Sequence, residues 1–122
     1  MLDRAARLRR ILDRDGPTCA WCGRPFGPLV RPTTEHLVLR VKGGPSWLEN
    51  ELAACARCNG ERGHLGAAEW LEECERRGWT PDVDRVTRTL DALAAAITAR
   101  GGQRRARPHL DAQRRRFVRR AA

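Results

Sequence analysis

The stretch from Thr33 to His64 reads TTEHLVLRVKGGPSWLENELAACARCNGERGH, and the rest of the chain is built around it. It contains a Glu-His pair, a Gly-Gly turn, and a Cys-x-x-Cys motif followed at once by an Asn. A second Cys-x-x-Cys motif lies upstream, at Cys19 and Cys22. Two residues between cysteines let both thiolates turn toward one ion, so the two motifs together predict a metal centre.

We predict that this centre is a structural zinc site. Its ligands are four thiolates, which make a closed tetrahedral site: Cys19, Cys22, Cys55 and Cys58. The 32 residues between the two motifs are expected to enclose a structured element. An iron centre of the rubredoxin type is the alternative metal, whereas four buried free thiols would leave the paired spacing unexplained. Cys74 is predicted to be a small buried apolar residue.

Length and composition favour a single small domain. The chain has 122 residues and a thin apolar core, so a metal staple is expected. The first residues are charged and no apolar run follows, so we expect no signal peptide and no membrane span. A cytoplasmic, reducing location follows as an expectation, and there paired cysteines favour metal over disulfide.

The charge of the chain is strongly positive and unevenly distributed. The net charge is +9, and Arg supplies 23 of the 24 basic residues. Residues 101–122 alone carry +7, while residues 65–100 carry −2. We predict that residues 1–100 form the domain and that residues 101–122 form a basic tail suited to a polyanion such as nucleic acid. A disordered solubilising end is the alternative.

Periodicity and turn residues predict a small α+β fold. A helix is expected over residues 3–14, and strands over Thr33–Val41 and Glu51–Ala54. Further helices are expected around the second cysteine motif and over Gly66–Arg77. Another is expected to begin at Pro81, with Thr80 as its N-cap, and to end at Gly101. Pro108 is expected to start a weaker helix carrying Leu110, Phe117 and Val118.

Several spaced features occur together in this stretch: Glu35-His36, Gly43-Gly44, Asn50, Cys55-x-x-Cys58-Asn59 and Arg62. In this combination they resemble the HNH endonuclease family, the zinc-stapled ββα-metal nucleases. The resemblance covers about residues 17–75 and implies a ββα-metal motif with a four-cysteine zinc knuckle, flanked by N- and C-terminal helices. Two departures are Asn59, where the family often has His, and Leu39, where many members have Pro.

The resemblance implies a role for each of these polar residues. His36 is the expected general base that activates water, and imidazole chemistry suits proton removal near neutral pH. Glu35 and Asn59 are the expected ligands of a catalytic Mg²⁺ or Mn²⁺, because their oxygens suit hard cations. Asn50 is expected to brace the loop. In a straight strand Glu35 would point away from His36, so a bend is needed to bring them together.

The sequence thus predicts a metal-dependent endonuclease acting on double-stranded DNA with little sequence specificity. The alternatives are a non-catalytic zinc module that binds nucleic acid, and a zinc-stapled domain whose basic tail binds an acidic protein. His64 stands five residues after Asn59, a spacing that does not share a helix face, so it is not expected to bind metal. The predicted phosphate contacts are Arg62, Lys42, Arg104, Arg105, Arg107, Arg114, Arg115 and Arg116.

Overall fold

A two-stranded antiparallel sheet lies at the centre of the computed structural model, which describes residues 1–122. Strand β1 covers Pro32–His36 and strand β2 covers Glu51–Cys55. In their register Pro32 lies opposite Cys55 and His36 lies opposite Glu51. All five residues of β2 are buried, because helices pack against the sheet. The predicted small α+β fold is confirmed.

Strand β1 ends at His36, five residues earlier than the sequence predicted. Residues Arg40–Lys42 form a 3₁₀ turn instead, which ends at Gly43 in the left-handed conformation with φ 88°. The reason lies in Asn50, whose side chain takes both backbone polar groups of Val38 and so replaces the next rung of the sheet. The segment between the strands is therefore a compact loop.

The first two helices pack on the sheet, and the third contributes to the same core. Helix α1 (Arg4–Asp15) begins at Asp3, whose carboxylate accepts a hydrogen bond from the N–H of Ala6, and it packs on both strands. Helix α2 (Ala56–Arg62) follows β2 directly and carries Cys58 and Asn59. Helix α3 (Ala67–Arg76) buries Trp70, Leu71 and Cys74. The apolar environment predicted for Cys74 is thus observed.

Helix α4 (Val83–Arg100) begins two residues later than predicted. Asp82 caps it, because its carboxylate accepts a hydrogen bond from the N–H of Arg85, whereas the sequence indicated Thr80 as the cap. The backbone N–H of Asp82 also donates to the carbonyl oxygen of Ala20. This bond fixes the start of α4 against the first cysteine motif.

The C-terminal segment differs most from expectation. Residues Ala106–Ala121 form helix α5, which packs against α3 and α4. Its apolar face buries Ala106, Leu110 and Phe117 in the common core, whereas Val118, which the sequence grouped with them, is exposed. Pro108 lies in the first turn, where a backbone N–H has no partner within the helix. The basic segment is therefore part of the domain and not a separate tail. None of the five helices has the length and apolar character needed to cross a bilayer.

Candidate functional site

The four predicted zinc ligands converge. The Sγ atoms of Cys19, Cys22, Cys55 and Cys58 all lie within 4.8 Å of one another. The Sγ atoms of Cys22 and Cys55 are 3.9 Å apart. A tetrahedral zinc ion with Zn–S bonds of about 2.3 Å requires sulfur–sulfur distances of about 3.8 Å. The donor set and its spacing therefore fit a structural zinc ion.

Hydrogen bonds stabilise negative charge on these sulfurs. The backbone N–H of Cys55 donates to the Sγ of Cys19 at 3.3 Å. Hydrogen bonding, chiefly from the thiol of Cys58, lowers the pKa of Cys19 to about 4. The guanidinium of Arg24 donates to the Sγ atoms of Cys22 and Cys55, at 3.4 and 3.2 Å. These thiolate contacts raise the pKa of Arg24. Sequence spacing gave no indication of Arg24.

A cleft of about 290 Å³ lies beside the sheet, bordered by α1, β1, the 40–42 turn and the end of α2. Three predicted site residues, Glu35, His36 and Asn59, line it together. His64 lines it as well, although helix periodicity argued against its taking part, because α2 ends at Arg62 and the chain then turns at Gly63. Tertiary structure thus gathers two of the three histidines, Glu35 and Asn59 at a single concave site.

The imidazole of His36 is partly buried at the edge of β1. Its Nε2 lies 3.0 Å from Ser46 Oγ and 3.9 Å from a carboxylate oxygen of Glu51. Burial, together with the positive charges of Arg40 and Arg7, lowers the pKa of His36 to about 4. The ring is therefore neutral at physiological pH and able to accept a proton.

Asn50 holds the loop between the strands. Its side chain is fully buried, accepts a hydrogen bond from Val38 N–H, and donates to the carbonyl oxygens of Val38 and Pro45. Its backbone carbonyl accepts from the N–H of Leu37, the residue after His36. These bonds fix the loop that leads away from His36.

Asn59 spans the gap between α2 and β1. Its Nδ2 donates to Thr33 Oγ1 at 2.9 Å and to the carbonyl oxygen of Thr34 at 3.3 Å. Because the amide nitrogen is occupied in this way, its Oδ1 is left as the atom available to a ligand in the cleft.

Glu35 points into the protein. Its side chain is 2% exposed, accepts a hydrogen bond from the indole N–H of Trp21, and lies 3.6 Å from the guanidinium of Arg62. Burial raises the pKa of Glu35, and the nearby positive charge of Arg62 opposes that shift. One carboxylate oxygen, Oε1, is buried without a hydrogen-bond partner. An orphaned buried oxygen of this kind has the chemistry of a ligand for a hard cation.

Arg62 does not have the exposure needed for the phosphate contact predicted from the sequence. It is 1% exposed, and its guanidinium donates to the backbone carbonyls of His36, Leu37 and Leu65. Burial lowers the pKa of Arg62, and Glu35 opposes this shift. Arg62 thus ties α2 to the end of β1, and a solvent-facing role for it is excluded.

The remaining predicted phosphate contacts fall into two groups. Three are engaged internally: Arg105 with the carbonyl of Val41, Arg114 with Asp91, and Arg116 with Glu69 and Glu72. The others form no ion pair and are at least partly exposed: Lys42, Arg104, Arg107 and Arg115.

Three arginines outside the set of predicted phosphate contacts line the cleft itself: Arg4, Arg7 and Arg40. The spacing of Arg4 and Arg7 on α1 places them on one helix face, which was the only sequence indication that they act together. The sequence analysis missed Glu51, because a Glu that follows Asn50 at the start of a short strand has no distinctive motif.

Comparison with known proteins identifies a fold relative. No family model and no curated protein matches the sequence. Among solved structures, the Type II-C Cas9 enzyme from Actinomyces naeslundii is similar to this chain, with a TM-score of 0.53 and 20% sequence identity. The likeness covers 98% of this chain and 11% of that one, so the chain spans about a tenth of that enzyme's length. At this identity the likeness is one of fold.

Proposed function

We propose that this chain is a metal-dependent endonuclease of the HNH type that hydrolyses phosphodiester bonds in DNA. The observation that carries the proposal is that a neutral His36 and the amide of Asn59 line one arginine-bordered cleft beside a four-cysteine cluster. The fold relative adds support, because enzymes of the Cas9 type bind and cleave DNA. Both histidine and amide are residues that the HNH resemblance implies.

His36 acts in this proposal as the general base. Its imidazole is neutral at physiological pH because burial and surrounding arginines disfavour the charged form. A neutral imidazole at the cleft accepts the proton of an attacking water. Asn50 fixes the loop that follows His36, and Arg62 holds the His36 carbonyl oxygen at 2.8 Å, so the ring starts from a rigid backbone.

Glu35 and Asn59 are the residues that would hold a catalytic divalent ion. The fit is supported by the unpartnered Oε1 of Glu35 and by the Oδ1 of Asn59, since Mg²⁺ and Mn²⁺ prefer oxygen ligands. Such an ion, when bound, neutralises charge on the scissile phosphate. The four cysteines would hold a structural zinc ion that joins the first cysteine motif to the end of β2 and to α2.

The arginines at the cleft supply contacts to the DNA backbone in this proposal. Arg4 and Arg40 are exposed and line the same cleft as His36. Guanidinium groups there bind phosphate without reading base sequence, so specificity is expected to be low. The unpaired basic side chains Lys42, Arg104, Arg107 and Arg115 extend this electrostatic attraction for double-stranded DNA.

The test is cleavage of supercoiled plasmid by zinc-loaded protein with Mg²⁺ or Mn²⁺. Wild type is expected to nick or linearise the plasmid, and His36→Ala is expected to be inactive while keeping its zinc. His109→Ala is the matched control, because His109 is an exposed residue on α5, outside the cleft. Intact plasmid with wild type under every metal, or equal cleavage by His36→Ala, would refute the proposal.

A second candidate is a zinc-containing nucleic-acid-binding module without catalysis. The observation that favours it is the inward position of Glu35, whose charge is already matched by Arg62. This candidate predicts that the protein binds DNA in a salt-sensitive way and does not cleave it. It also predicts that His36→Ala binds DNA as wild type does. The plasmid assay therefore separates the two functions.

A further inference from the structure

His36 and Glu51 form a directly opposed pair across the two strands. Side chains at opposed positions of an antiparallel sheet lie on the same face and close together. Here one carboxylate oxygen of Glu51, Oε2, lies 3.9 Å from Nε2 of His36. The face that carries this pair is covered by α1, which contributes Arg7.

The carboxylate of Glu51 lies in a buried strand, where a charged side chain lowers the stability of the fold unless it is paired. Its side chain has no solvent exposure, and the other four residues of β2 are Leu, Ala, Ala and Cys, all buried. A buried carboxylate is costly unless it is paired and hydrogen-bonded. Arg7 satisfies one oxygen, Oε1, with an N–O distance of 2.7 Å.

The second oxygen of Glu51 is unsatisfied within the chain. Oε2 is buried without a hydrogen-bond partner, and it is the oxygen that faces the His36 ring. Ser46 is the competing neighbour, because its hydroxyl lies 3.0 Å from the same Nε2 and is exposed. A hydroxyl both donates and accepts, so Ser46 by itself does not determine which ring nitrogen carries the proton.

We propose that Glu51, held by Arg7, is a positioning residue that sets the tautomer and orientation of His36. Its carboxylate accepts only, so it favours a proton on Nε2. Nδ1 is then the nitrogen with the free lone pair, and it is the atom that accepts a proton from water. Glu51 touches no reacting atom in this arrangement and acts only through His36. The catalytic part of this inference rests on the proposed nuclease function.

The first measurement is independent of activity. Long-range ¹H–¹⁵N NMR correlations of the zinc-loaded protein report which nitrogen of His36 carries the proton. Wild type is expected to have the proton on Nε2, and Glu51→Gln is expected to gain the Nδ1-protonated form. Ser46→Ala is the matched control and is expected to keep the wild-type tautomer. An Nδ1 proton in wild type overturns the proposal, as does an unchanged tautomer in Glu51→Gln.

A second variant tests the same proposal if Glu51→Gln by itself does not fold. Arg7→Gln combined with Glu51→Gln leaves neither charge buried alone, so it keeps the fold if Glu51→Gln by itself does not. The same change of tautomer is expected in the double variant. Loss of the wild-type tautomer in Ser46→Ala, with retention in the double variant, would assign the positioning role to Ser46 and overturn the proposal.

The second measurement uses plasmid cleavage. Glu51→Gln is expected to lower kcat by about tenfold or more with little change in KM, because a general base contributes about 10²–10⁴-fold. Adding His36→Ala to Glu51→Gln should cause no loss beyond that of His36→Ala alone. Equal kcat in wild type and Glu51→Gln would contradict the role in catalysis. If wild type does not cleave, the nuclease proposal fails, while the NMR result still decides whether Glu51 positions His36.

Discussion

The side chain of Asn50 pairs with both backbone polar groups of Val38. Its Oδ1 accepts from Val38 N–H at 2.9 Å, and its Nδ2 donates to the Val38 carbonyl at 3.0 Å. The two bonds mimic a rung of a sheet at the point where β1 has ended. They close the loop that carries Gly43 and Gly44, so the loop is fixed by one buried amide. The loop therefore has little room for an additional side-chain atom.

Gly44→Ala should therefore destabilise the protein. A Cβ there would lie 1.7 Å from the carbonyl oxygen of Val38 and 3.0 Å from Nδ2 of Asn50, so the loop would have to shift. We expect a loss of roughly 2–3 kcal/mol in the free energy of unfolding, measured by urea denaturation. Gly60→Ala is the control, because a Cβ in helix α2 meets nothing within 4 Å. It should raise stability by up to about 1 kcal/mol. If Gly44→Ala and Gly60→Ala unfolded at similar urea concentrations, this description of the loop would be contradicted.

Zinc removal should unfold the domain. The protein is expected to bind one zinc ion per chain, and a strong chelator should abolish the cooperative unfolding transition, because the four-cysteine cluster joins the first knuckle to α2. Cys58→Ser should lose the metal. Cys74→Ala is the matched control and should keep one zinc, since burial raises the pKa of Cys74 to about 12 and its thiol stands outside the cluster. Zinc loss in Cys74→Ala would contradict the assignment of ligands.

Arg62→Met should be strongly destabilising. The variant would leave three backbone carbonyls without their donor and the buried Glu35 without its counter-charge. Removing one partner of a buried ion pair costs about 3–5 kcal/mol, and the unfolding midpoint should fall accordingly. Arg76→Met, in an exposed ion pair with Glu73, should leave the midpoint unchanged. If Arg62→Met were as stable as wild type, the contacts of Arg62 between α2 and the end of β1 would not stabilise the fold.

DNA binding should depend on the cleft more than on α5. Replacing Arg4 and Arg40 with Gln should weaken binding and reduce the slope of log K against log salt by about 0.9 for each phosphate that is no longer neutralised. Replacing Arg114 and Arg116 with Gln should have less effect, because acidic side chains of α3 and α4 already neutralise them. Fluorescence anisotropy of labelled DNA over a series of salt concentrations measures the affinity and its salt dependence for each variant. A larger decrease in affinity from the α5 pair would place the DNA on α5 and not at the cleft.

Local sequence patterns determined much of this protein. The paired Cys-x-x-Cys spacing predicted the converged sulfurs, because two intervening residues and a turn are enough to aim both thiolates at one point. Apolar periodicity likewise predicted helices close to the observed α1, α3 and α4. The bracing bonds of Asn50 agree with the role that the resemblance implied for it.

Only the tertiary structure decided which charged side chains face solvent and which face one another. Arg62 and the arginines of α5 have the same side chain, yet one is fully buried and the others lie on a packed helix. Arg4 and Arg7 became cleft residues because α1 packs against the sheet, and Arg40 became one because the turn at residues 40–42 borders the same cleft. Glu51 meets His36 through strand register, which joins residues 15 positions apart in the chain. The environment of a charge is set by neighbours distant in sequence, so local pattern determined the elements and packing determined the electrostatics of the site.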